Sequence, residues 1–337
     1  MPPSALLFLS ALVATGLLTG CVRAYARARN LIDIPNDRSS HVTPTPRGGG
    51  LALIIVTMVT LSLLAREGHV STQVLIALSG GGLTTAIIGL LDDHVPIAAR
   101  WRLAGHCLAV AWGLYWLGGL PPIVLWSQAL NLGLIGHMIA ALFLVWLLNL
   151  YNFMDGINGI AAIELITVAI GGLALAGATG VRDAQPLLLT LIASGLGFLV
   201  WNFPRARIFM GDAGSGFVGL ILGLIAIWQG ALQPELFIAW VILLGTFIMD
   251  STVTLLRRVL RGKVFYAPHR SHAYQVAARH YASHTPVSLA VGLINLAWLT
   301  PMAVIAADAS SPPVIILIIA WGPLLALSLR FNAGAAG

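Results

Sequence analysis

The chain alternates between long apolar stretches and short polar segments from one end to the other. Eleven stretches are apolar enough to be transmembrane helices, which need about 20 such residues to cross the hydrocarbon core. We therefore predict an all-α polytopic membrane protein with about eleven transmembrane helices, forming one integral-membrane domain over residues 1–337. The predicted spans are residues 4–21, 50–65, 72–91, 103–119, 133–151, 158–178, 186–201, 214–231, 235–256, 286–306 and 312–330.

The composition agrees with this prediction and excludes a sizeable soluble domain. Hydrophobic residues make up 58% of the chain and charged residues 9%, with a mean hydropathy of +0.91, whereas soluble domains are about 25% charged. The longest polar segment, residues 257–285, is too short and too polar to form its own core. Residues 119–133 are the weakest part of the topology, because Pro121-Pro122 interrupts any helix there.

The basic residues indicate which side of the membrane each loop occupies. The net charge of +6 would by itself be compatible with binding to nucleic acid. With eleven spans, however, every Lys and Arg except Arg66 and Arg182 falls on the side of the C-terminus. The positive-inside rule makes that side the cytoplasm, so we expect contacts with membrane lipid head groups and none with nucleic acid.

The first apolar stretch ends in Leu18-Thr19-Gly20-Cys21, which is similar to a bacterial lipoprotein cleavage box. The basic residues that usually precede the apolar part of a signal peptide are missing, and arginines follow Cys21 instead. We therefore expect residues 4–21 to remain as a span.

Two adjacent carboxylates, Asp92 and Asp93, follow the third predicted span. Such a pair suits Mg²⁺, which prefers oxygen ligands and usually binds few carboxylates together with substrate phosphates. One of the two could instead deprotonate or position a nucleophile. The alternative is a solvated loop in which these acids balance Arg100 and Arg102.

A second motif has polar residues at every third position: Asn149, Asn152, Asp155 and Asn158. This spacing brings the four side chains to one helix face until glycines interrupt the helix. An amide and a carboxylate three residues apart can share a metal or grip a ligand. The alternative is a polar helix end with Asn and Gly as turn formers.

A glycine-rich segment, residues 209–216, leads into the eighth predicted span and contains Asp212. Glycines that enter a helix form a natural site for phosphate or pyrophosphate, and Asp212 could be a metal ligand there. Equally, Asp212 could be the helix N-cap, with the small residues allowing close helix packing.

The last cytoplasmic loop carries the sequence His-Arg-Ser-His at residues 269–272. These side chains suit phosphate oxygens or a sugar, and the alternative is a basic loop on the membrane surface. Glu164 and Asp250 lie within spans and could support a site, but no pattern selects them as ligands.

All these patches fall on the predicted cytoplasmic side, where a first loop also carries Asp33 and Arg47. Ionisable residues are costly near lipid, so acids that converge on one face indicate a functional site. Such a site suits a Mg²⁺ ion and a pyrophosphate-bearing donor beside an acceptor whose tail lies in the bilayer.

Five motifs, taken together, carry a resemblance to a known membrane superfamily. They are Asp33-Ile34-Pro35-Asn36 with Pro44-Thr45-Pro46-Arg47-Gly48-Gly49-Gly50, Leu91-Asp92-Asp93, Asn152-Phe153-Met154-Asp155-Gly156, Phe209-Met210-Gly211-Asp212-Ala213-Gly214 and Pro268-His269-Arg270-Ser271-His272. In this order, over roughly residues 30–285, they resemble the polyprenyl-phosphate N-acetylhexosamine-1-phosphate transferases. The resemblance implies transfer of N-acetylhexosamine 1-phosphate from a UDP-N-acetylhexosamine to undecaprenyl phosphate, with release of UMP. It also implies Mg²⁺, or Mn²⁺ in its place, and a bacterial inner-membrane location, and it leaves a homodimer open.

The resemblance further implies roles for individual residues. Asn152 and Asp212 match Mg²⁺ ligands, and Asp92 and Asp93 match the pair that positions or deprotonates the lipid phosphate. The substrate-binding candidates are Asn158 and Phe209 for the uracil, His269, Arg270 and His272 for diphosphate and sugar, Arg38 and Arg47 for nucleotide and phosphates, and Asn149, Asp155, Arg100 and Arg102.

Departures from the family pattern narrow the substrate. Many bacterial relatives have Asp where this chain has Asn158, and Arg100 and Arg102 replace a lysine that commonly follows the aspartates. The last loop lacks the triple histidine of the peptidoglycan-precursor enzymes, which excludes that substrate. Its His-Arg-Ser-His resembles the branch that initiates O-antigen or related surface polysaccharides, in lipopolysaccharide and cell wall biogenesis. Within that branch it resembles members that use UDP-FucNAc or UDP-QuiNAc, followed by UDP-GlcNAc.

A secondary transporter is the main alternative from another class. Transporters place ionisable residues near the bilayer midplane, on broken helices and within internal repeats. Here the acids cluster at one face and no repeat is visible. For the transferase, direct attack and a covalent phospho-enzyme both remain open, and direct attack by the lipid phosphate is the simpler scheme.

Overall fold

The computed structural model describes residues 3–35, 39–95, 97–125, 128–263 and 269–335, and this part of the chain is nearly all helical. The predicted Arg38 and the motif residues Asn36 and Pro268 lie outside it. The helices are α1 Pro3–Ala28, α2 Gly50–Arg66, α3 Thr72–His94, α4 Ala99–Leu117, α5 Gly133–Met154, α6 Ile160–Thr179, α7 Gln185–Asn202, α8 Gly211–Leu232, α9 Glu235–Leu243, α10 Gly245–Leu260, α11 Ala273–His280, α12 Thr285–Ile294, a π-helical segment Asn295–Leu299, α13 Thr300–Ala306 and α14 Pro313–Arg330.

Each of the eleven predicted spans overlaps a helix or a pair of consecutive helices. In the described part of the chain, eight helices are long and apolar enough to cross a membrane, or nine if α9 and α10 form one bent span. Helix α2 is apolar but only 17 residues long. Helix α4 is not among the helices that are long and apolar enough to cross a membrane. The protein is therefore a multi-pass membrane protein, and the number eleven stays a prediction.

Helix α8 lies in the middle of the bundle, and its side chains are buried from Ala213 to Gly230. Its neighbours α2, α3 and α5 approach closely, because small residues line the contacts. A Cβ atom on Gly50 would overlap the Cα atom of Gly214, and one on Gly219 would lie 2.8 Å from the carbonyl oxygen of Leu147.

The outer helices expose large apolar side chains, as expected for a surface that faces lipid. Leu17 on α1 is 68% exposed, Leu108 on α4 is 64% exposed and Leu134 on α5 is 76% exposed. A soluble monomer rarely carries contiguous apolar surface of this kind. The surface therefore agrees with the membrane location that the sequence predicts.

Two of the apolar segments are interrupted. Helices α9 and α10 meet at an angle of 70°, and the segment after α12 is π-helical from Asn295. The Asn295 amide nitrogen donates to Glu164 Oε2 at 2.7 Å and to Thr167 Oγ1 at 2.9 Å. Glu164 is therefore held in a buried cluster with Asn295, rather than beside the carboxylates described below.

Two short antiparallel hairpins depart from the all-α prediction. Strands β1 Ile32–Asp33 and β2 Thr45–Pro46 pair in the first loop. Strands β3 Ile123–Leu125 and β4 Gln128–Leu130 pair directly after Pro121-Pro122. The sequence predicts only a helix interruption at Pro121-Pro122, whereas the structure pairs Ile123–Leu125 with Gln128–Leu130.

Candidate functional site

The end of α3 meets the start of α8, and this contact brings two of the motifs together. The carboxylate of Asp93 accepts hydrogen bonds from the backbone N–H groups of Asp212, at 3.3 Å, and Ala213, at 3.4 Å. Asp93 is buried and thus caps a helix other than its own. The cap role that the sequence offers for Asp212 is performed here by Asp93.

Gly211 makes this approach possible. Its φ is +80°, a left-handed conformation that L side chains rarely adopt. A Cβ atom at this position would also lie 2.7 Å from Asp93 Oδ2 and 3.0 Å from the backbone nitrogen of Gly48. Glycine is therefore required at position 211 by its backbone conformation and by the lack of space for a Cβ atom. This packing requirement explains part of the glycine-rich motif without invoking a bound ligand.

Arg102 connects the carboxylates of Asp92 and Asp212. Its Nη1 atom lies 2.7 Å from Asp92 Oδ2 and 3.9 Å from Asp212 Oδ2. The backbone N–H of Ile97 donates to the other Asp92 oxygen at 2.7 Å. The two acids from separate motifs therefore share one guanidinium group at the end of the bundle.

Asp92, Asp93 and Asp212 together are called the acid group below, and Arg47 also contacts it. Its Nη2 donates to the backbone carbonyl of Asp93, and its Nε lies 3.9 Å from Asp93 Oδ1. The first loop is fixed there by backbone hydrogen bonds from Gly49 to Phe209 and from Gly50 to Met210, both 2.9 Å. These bonds bring the Arg-Gly-Gly-Gly motif against the start of α8.

Asn152 and Asp155 come from the end of α5. The amide nitrogen of Asn152 donates to Ser215 Oγ at 3.3 Å, which places it against the first turn of α8. Burial raises the pKa of Asp155 well above its usual range, and the negative charges of Asp212 and Asp93 raise it further. The acids thus lie close enough to repel one another, as expected where a cation can bind.

Asn149 does not share this arrangement. Its amide nitrogen donates to the carbonyl oxygen of Val145 at 2.7 Å, one turn back on the same helix. The i, i+3 pattern therefore brings Asn152 and Asp155 to the site, whereas Asn149 makes only this local contact among the described residues.

Most of the predicted site residues line one of two adjoining cavities. The smaller, of 510 Å³, is lined by Arg47, Asp92, Asp93, Arg102, Asn152, Asp155, Phe209 and Asp212. The larger, of 1070 Å³, is lined by Asn158, Phe209 and Arg270 among others. Both are lined by Ser39, Ser40, His41, Phe209 and Gln275. The smaller cavity, with its acidic residues, therefore opens into a wider space.

The last loop is arranged differently, because its two histidines do not line either of these cavities. His272 is buried, and its Nδ1 lies 3.4 Å from Asp250 Oδ1. His269 stacks on His272 with ring centroids 4.9 Å apart. Burial, with smaller contributions from the neighbouring His272 and Arg258, lowers the pKa of His269 to about 4. A substrate contact by either histidine stays a prediction.

Asp250 is the main residue that the motifs did not identify. Its carboxylate accepts from the backbone N–H groups of Ala273, at 2.8 Å, and Tyr274, at 2.9 Å, in addition to its contact with His272. Asp250 thus fixes the start of α11 and the loop before it. The one signal in the sequence is an acid inside an apolar stretch.

Arg100 lies apart from the acid group. Its guanidinium carbon is 5.8 Å from the ring of Trp101, and it lines neither cavity. Of the two arginines proposed to replace the family lysine, the structure brings only Arg102 to the carboxylates.

The side chains of the smaller cavity suit a hard divalent cation. Among the described residues, no three of His, Cys, Asp and Glu converge closely enough to form a metal site by themselves. Mg²⁺, however, usually needs only one or two carboxylates, with waters and substrate phosphates completing its shell. The oxygen-bearing side chains of Asp212 and Asn152, beside Asp93, fit that pattern.

The sequence is similar to a set of membrane transferases. Residues 74–230 match the model of the family described as Glycosyl transferase family 4. A protein of Bacillus subtilis named "Probable undecaprenyl-phosphate N-acetylglucosaminyl 1-phosphate transferase" is 31% identical, with 86% of this chain and 81% of the relative covered.

Two further relatives carry related names. The decaprenyl-phosphate N-acetylglucosaminephosphotransferase of Mycolicibacterium smegmatis is 31% identical, over 86% of this chain and 80% of the relative. The phospho-N-acetylmuramoyl-pentapeptide-transferase of Moorella thermoacetica is 32% identical, over 64% of this chain and 69% of the relative. The chain therefore belongs to Glycosyl transferase family 4, as a homologue of the polyprenyl-phosphate sugar-1-phosphate transferases.

Proposed function

We propose that the protein transfers N-acetylhexosamine 1-phosphate from a UDP-sugar to undecaprenyl phosphate. An oxygen of the lipid phosphate forms a bond to the sugar-bearing phosphorus of the donor. The bond from that phosphorus to the oxygen bridging the two phosphates breaks, and this oxygen leaves with UMP. The product is undecaprenyl diphosphate-sugar.

One observation carries this proposal: the meeting of Asp92, Asp93 and Asp212 between two arginines at the ends of membrane helices. Phosphoryl transfer needs charge neutralisation and positioning more than covalent help from the protein. Acids that attract a cation and guanidinium groups that attract phosphate supply both. The names of the relatives support the same reaction class.

We favour direct attack by the lipid phosphate over a phospho-enzyme. Both oxygens of Asp93 accept backbone hydrogen bonds, and both oxygens of Asp92 are bonded to Ile97 and Arg102. A carboxylate engaged in this way is a weaker nucleophile, because attack would forfeit those bonds. Asp93 would fix the start of α8, and Asp92 would hold Arg102 toward the incoming phosphate.

Asp212 and Asn152 would hold Mg²⁺, or Mn²⁺ in its place, with Asp93 close by. The ion would neutralise the donor diphosphate and so make UMP a better leaving group. Arg47 and Arg102 would bind phosphate oxygens from opposite sides of the acid group. Asn158 and Phe209, in the larger cavity, would bind the uracil.

The donor and pathway follow from the last loop and the relatives. The His-Arg-Ser-His sequence supports UDP-FucNAc or UDP-QuiNAc and the initiation of O-antigen or a related surface polysaccharide, whereas the relatives' names support UDP-GlcNAc. The bias of basic residues supports an inner-membrane protein whose site faces the cytoplasm.

The proposal is tested by UMP release from the purified protein in nanodiscs, with undecaprenyl phosphate, Mg²⁺ and a panel of UDP-HexNAc donors. UMP release that requires both the lipid and the donor supports the transferase, and the donor with the highest rate identifies the sugar. The absence of UMP release across the panel, from protein that is folded and binds UMP, would refute the proposed transfer.

A transporter would neither release UMP nor respond to lipid phosphate. The bend between α9 and α10 resembles the broken helices of transporters. However, Asp92 and Asp212 lie at helix ends rather than within the apolar core of the bundle.

A further inference from the structure

His284, immediately before α12, joins two loops that are distant in sequence. The backbone N–H of Asn158 donates to its Nδ1 at 3.3 Å, and its Nε2 lies 3.1 Å from the carbonyl oxygen of Ser40. One imidazole ring therefore bridges the first loop and the loop after α5. No motif in the sequence singles out this histidine.

These two contacts define the protonation state of the ring. Nδ1 accepts a hydrogen bond from a backbone N–H, so it carries no proton. Nε2 faces a carbonyl oxygen, so it must carry one. Burial lowers the pKa of His284 and so favours this neutral form, although the hydrogen bond to the Ser40 carbonyl acts in the opposite direction. The bridge thus requires a neutral ring with the proton on Nε2.

The first turn of α12 holds the Asn158 peptide from both sides. Ser288, one turn after His284, donates from Oγ to the carbonyl oxygen of Asn158 at 2.8 Å. The Asn158 side-chain nitrogen donates to the carbonyl oxygen of Pro204 at 3.0 Å. The side-chain oxygen of Asn158 is then the atom that can bind a ligand in the larger cavity.

The Ser40 contact acts on a second segment that lines the same cavity. Ser40 and His41 line both cavities. The ring of His41 meets the ring of Phe209 edge to face, with centroids 4.9 Å apart. By fixing Ser40, His284 also fixes the loop that sets the position of His41 against Phe209.

We infer that His284 is a positioning residue for the nucleoside of the donor, acting through Asn158 on one side and the Ser40 loop on the other. This inference rests on the proposed function, because it takes the larger cavity to be the uridine site. His284 does not touch the acid group, so it should influence donor binding and leave the transfer step unchanged.

The test uses three substitutions that separate the two contacts. His284→Ala removes both. His284→Asn places an amide oxygen near the position of Nδ1 and can keep the Asn158 bond, whereas His284→Gln reaches the position of Nε2 and can keep the Ser40 bond. His280→Ala is the matched control, because His280 is exposed and lines neither cavity.

We expect His284→Ala to raise the KM for the donor about tenfold with kcat within about twofold, since tenfold corresponds to about 1.4 kcal/mol, which is of the order that the loss of one or two hydrogen bonds contributes. The Kd for UMP, measured without turnover on the full-length protein, should rise in parallel. At least one of His284→Asn and His284→Gln should recover part of the loss. The KM for undecaprenyl phosphate should not change.

The inference is overturned if His284→Ala keeps the wild-type donor KM and UMP Kd, or if all three variants lose kcat equally at unchanged KM. If His284→Ala does not fold, the Asn and Gln variants decide by the same criteria. Failure of the proposed function is a different result: wild-type protein that releases no UMP with any donor.

Discussion

The acid group and the last loop both consist of motif residues, but the structure uses them in opposite ways. Asp92, Asp212 and Arg102 line a cavity and hold one another at distances of 2.7 and 3.9 Å. His272 is instead buried, 3.4 Å from Asp250, and the half-buried His269 stacks on it. A motif can therefore mark residues that line a cavity or residues that shape a neighbouring loop, here the loop in which Arg270 lines the larger cavity.

The largest effect that separates the two regions should come from removing divalent cations. If the acid group holds Mg²⁺, excess EDTA should lower UMP release to below about one hundredth of its starting rate. Mg²⁺ or Mn²⁺ added in excess of EDTA should restore it. The control is thermal stability in the same buffers, which should change little. Full activity in EDTA would contradict a metal at Asp212 and Asn152.

Asp212→Asn should have the next largest effect. The substitution keeps the size of the side chain but removes the charge beside Arg102, and kcat should fall roughly 10²- to 10³-fold. The backbone N–H that Asp93 caps is retained, so the melting temperature should stay within a few degrees. Steady-state rates and differential scanning fluorimetry measure the two quantities. Asp308→Asn, between α13 and α14, is the matched control, and a near-wild-type rate for Asp212→Asn would remove it from the site.

Asp250→Asn should instead lower both activity and stability. It replaces a carboxylate that accepts two backbone hydrogen bonds at the start of α11 and contacts His272. The loss of such a cap typically costs about 1 kcal/mol, and displacement of Arg270 should lower kcat/KM roughly 10- to 100-fold. Asp183→Asn, on the exposed loop between α6 and α7, provides the comparison. Reduced activity at an unchanged melting temperature would show that Asp250 acts on the substrate rather than on the loop.

The sequence predicts the residues of the acid group better than the residues that position the surrounding loops, and the reason is physical. Asp92, Asp93 and Asp212 stand out because charge is costly near lipid, and the ends of adjacent spans bring them together. Asp250 and His284 act on residues that are distant in sequence, so their roles depend on how α10, α11 and α12 pack. Arg100 and Arg102 are alike in sequence, and only the helix phase of α4 selects Arg102.

The sequence likewise predicts one part of the membrane architecture and misses another. Hydropathy locates the helices, because each predicted span overlaps one. It does not predict the hairpin after Pro121-Pro122, since backbone pairing between Ile123 and Leu130 leaves no periodic signal. The π-helical segment at Asn295 likewise depends on contacts with Glu164 and Thr246 from other helices. Local composition therefore predicts the helices, whereas the π-helical break at Asn295 is accompanied by polar contacts from other helices.

The smallest effect concerns pH and tests the inward position of His269. Burial lowers its pKa from an ordinary value near 6.5 to about 4, so between these values the unfolded chain binds a proton that the folded protein does not. Stability should therefore fall as the pH decreases from about 6.5 toward about 4. In His269→Gln this part of the pH dependence should disappear, whereas His69→Gln, whose ring is 57% exposed, should retain it. Melting temperatures between pH 4 and pH 7.5 measure the difference. Identical pH curves for the wild type and His269→Gln would contradict a lowered pKa for His269, and with it the burial that lowers that pKa.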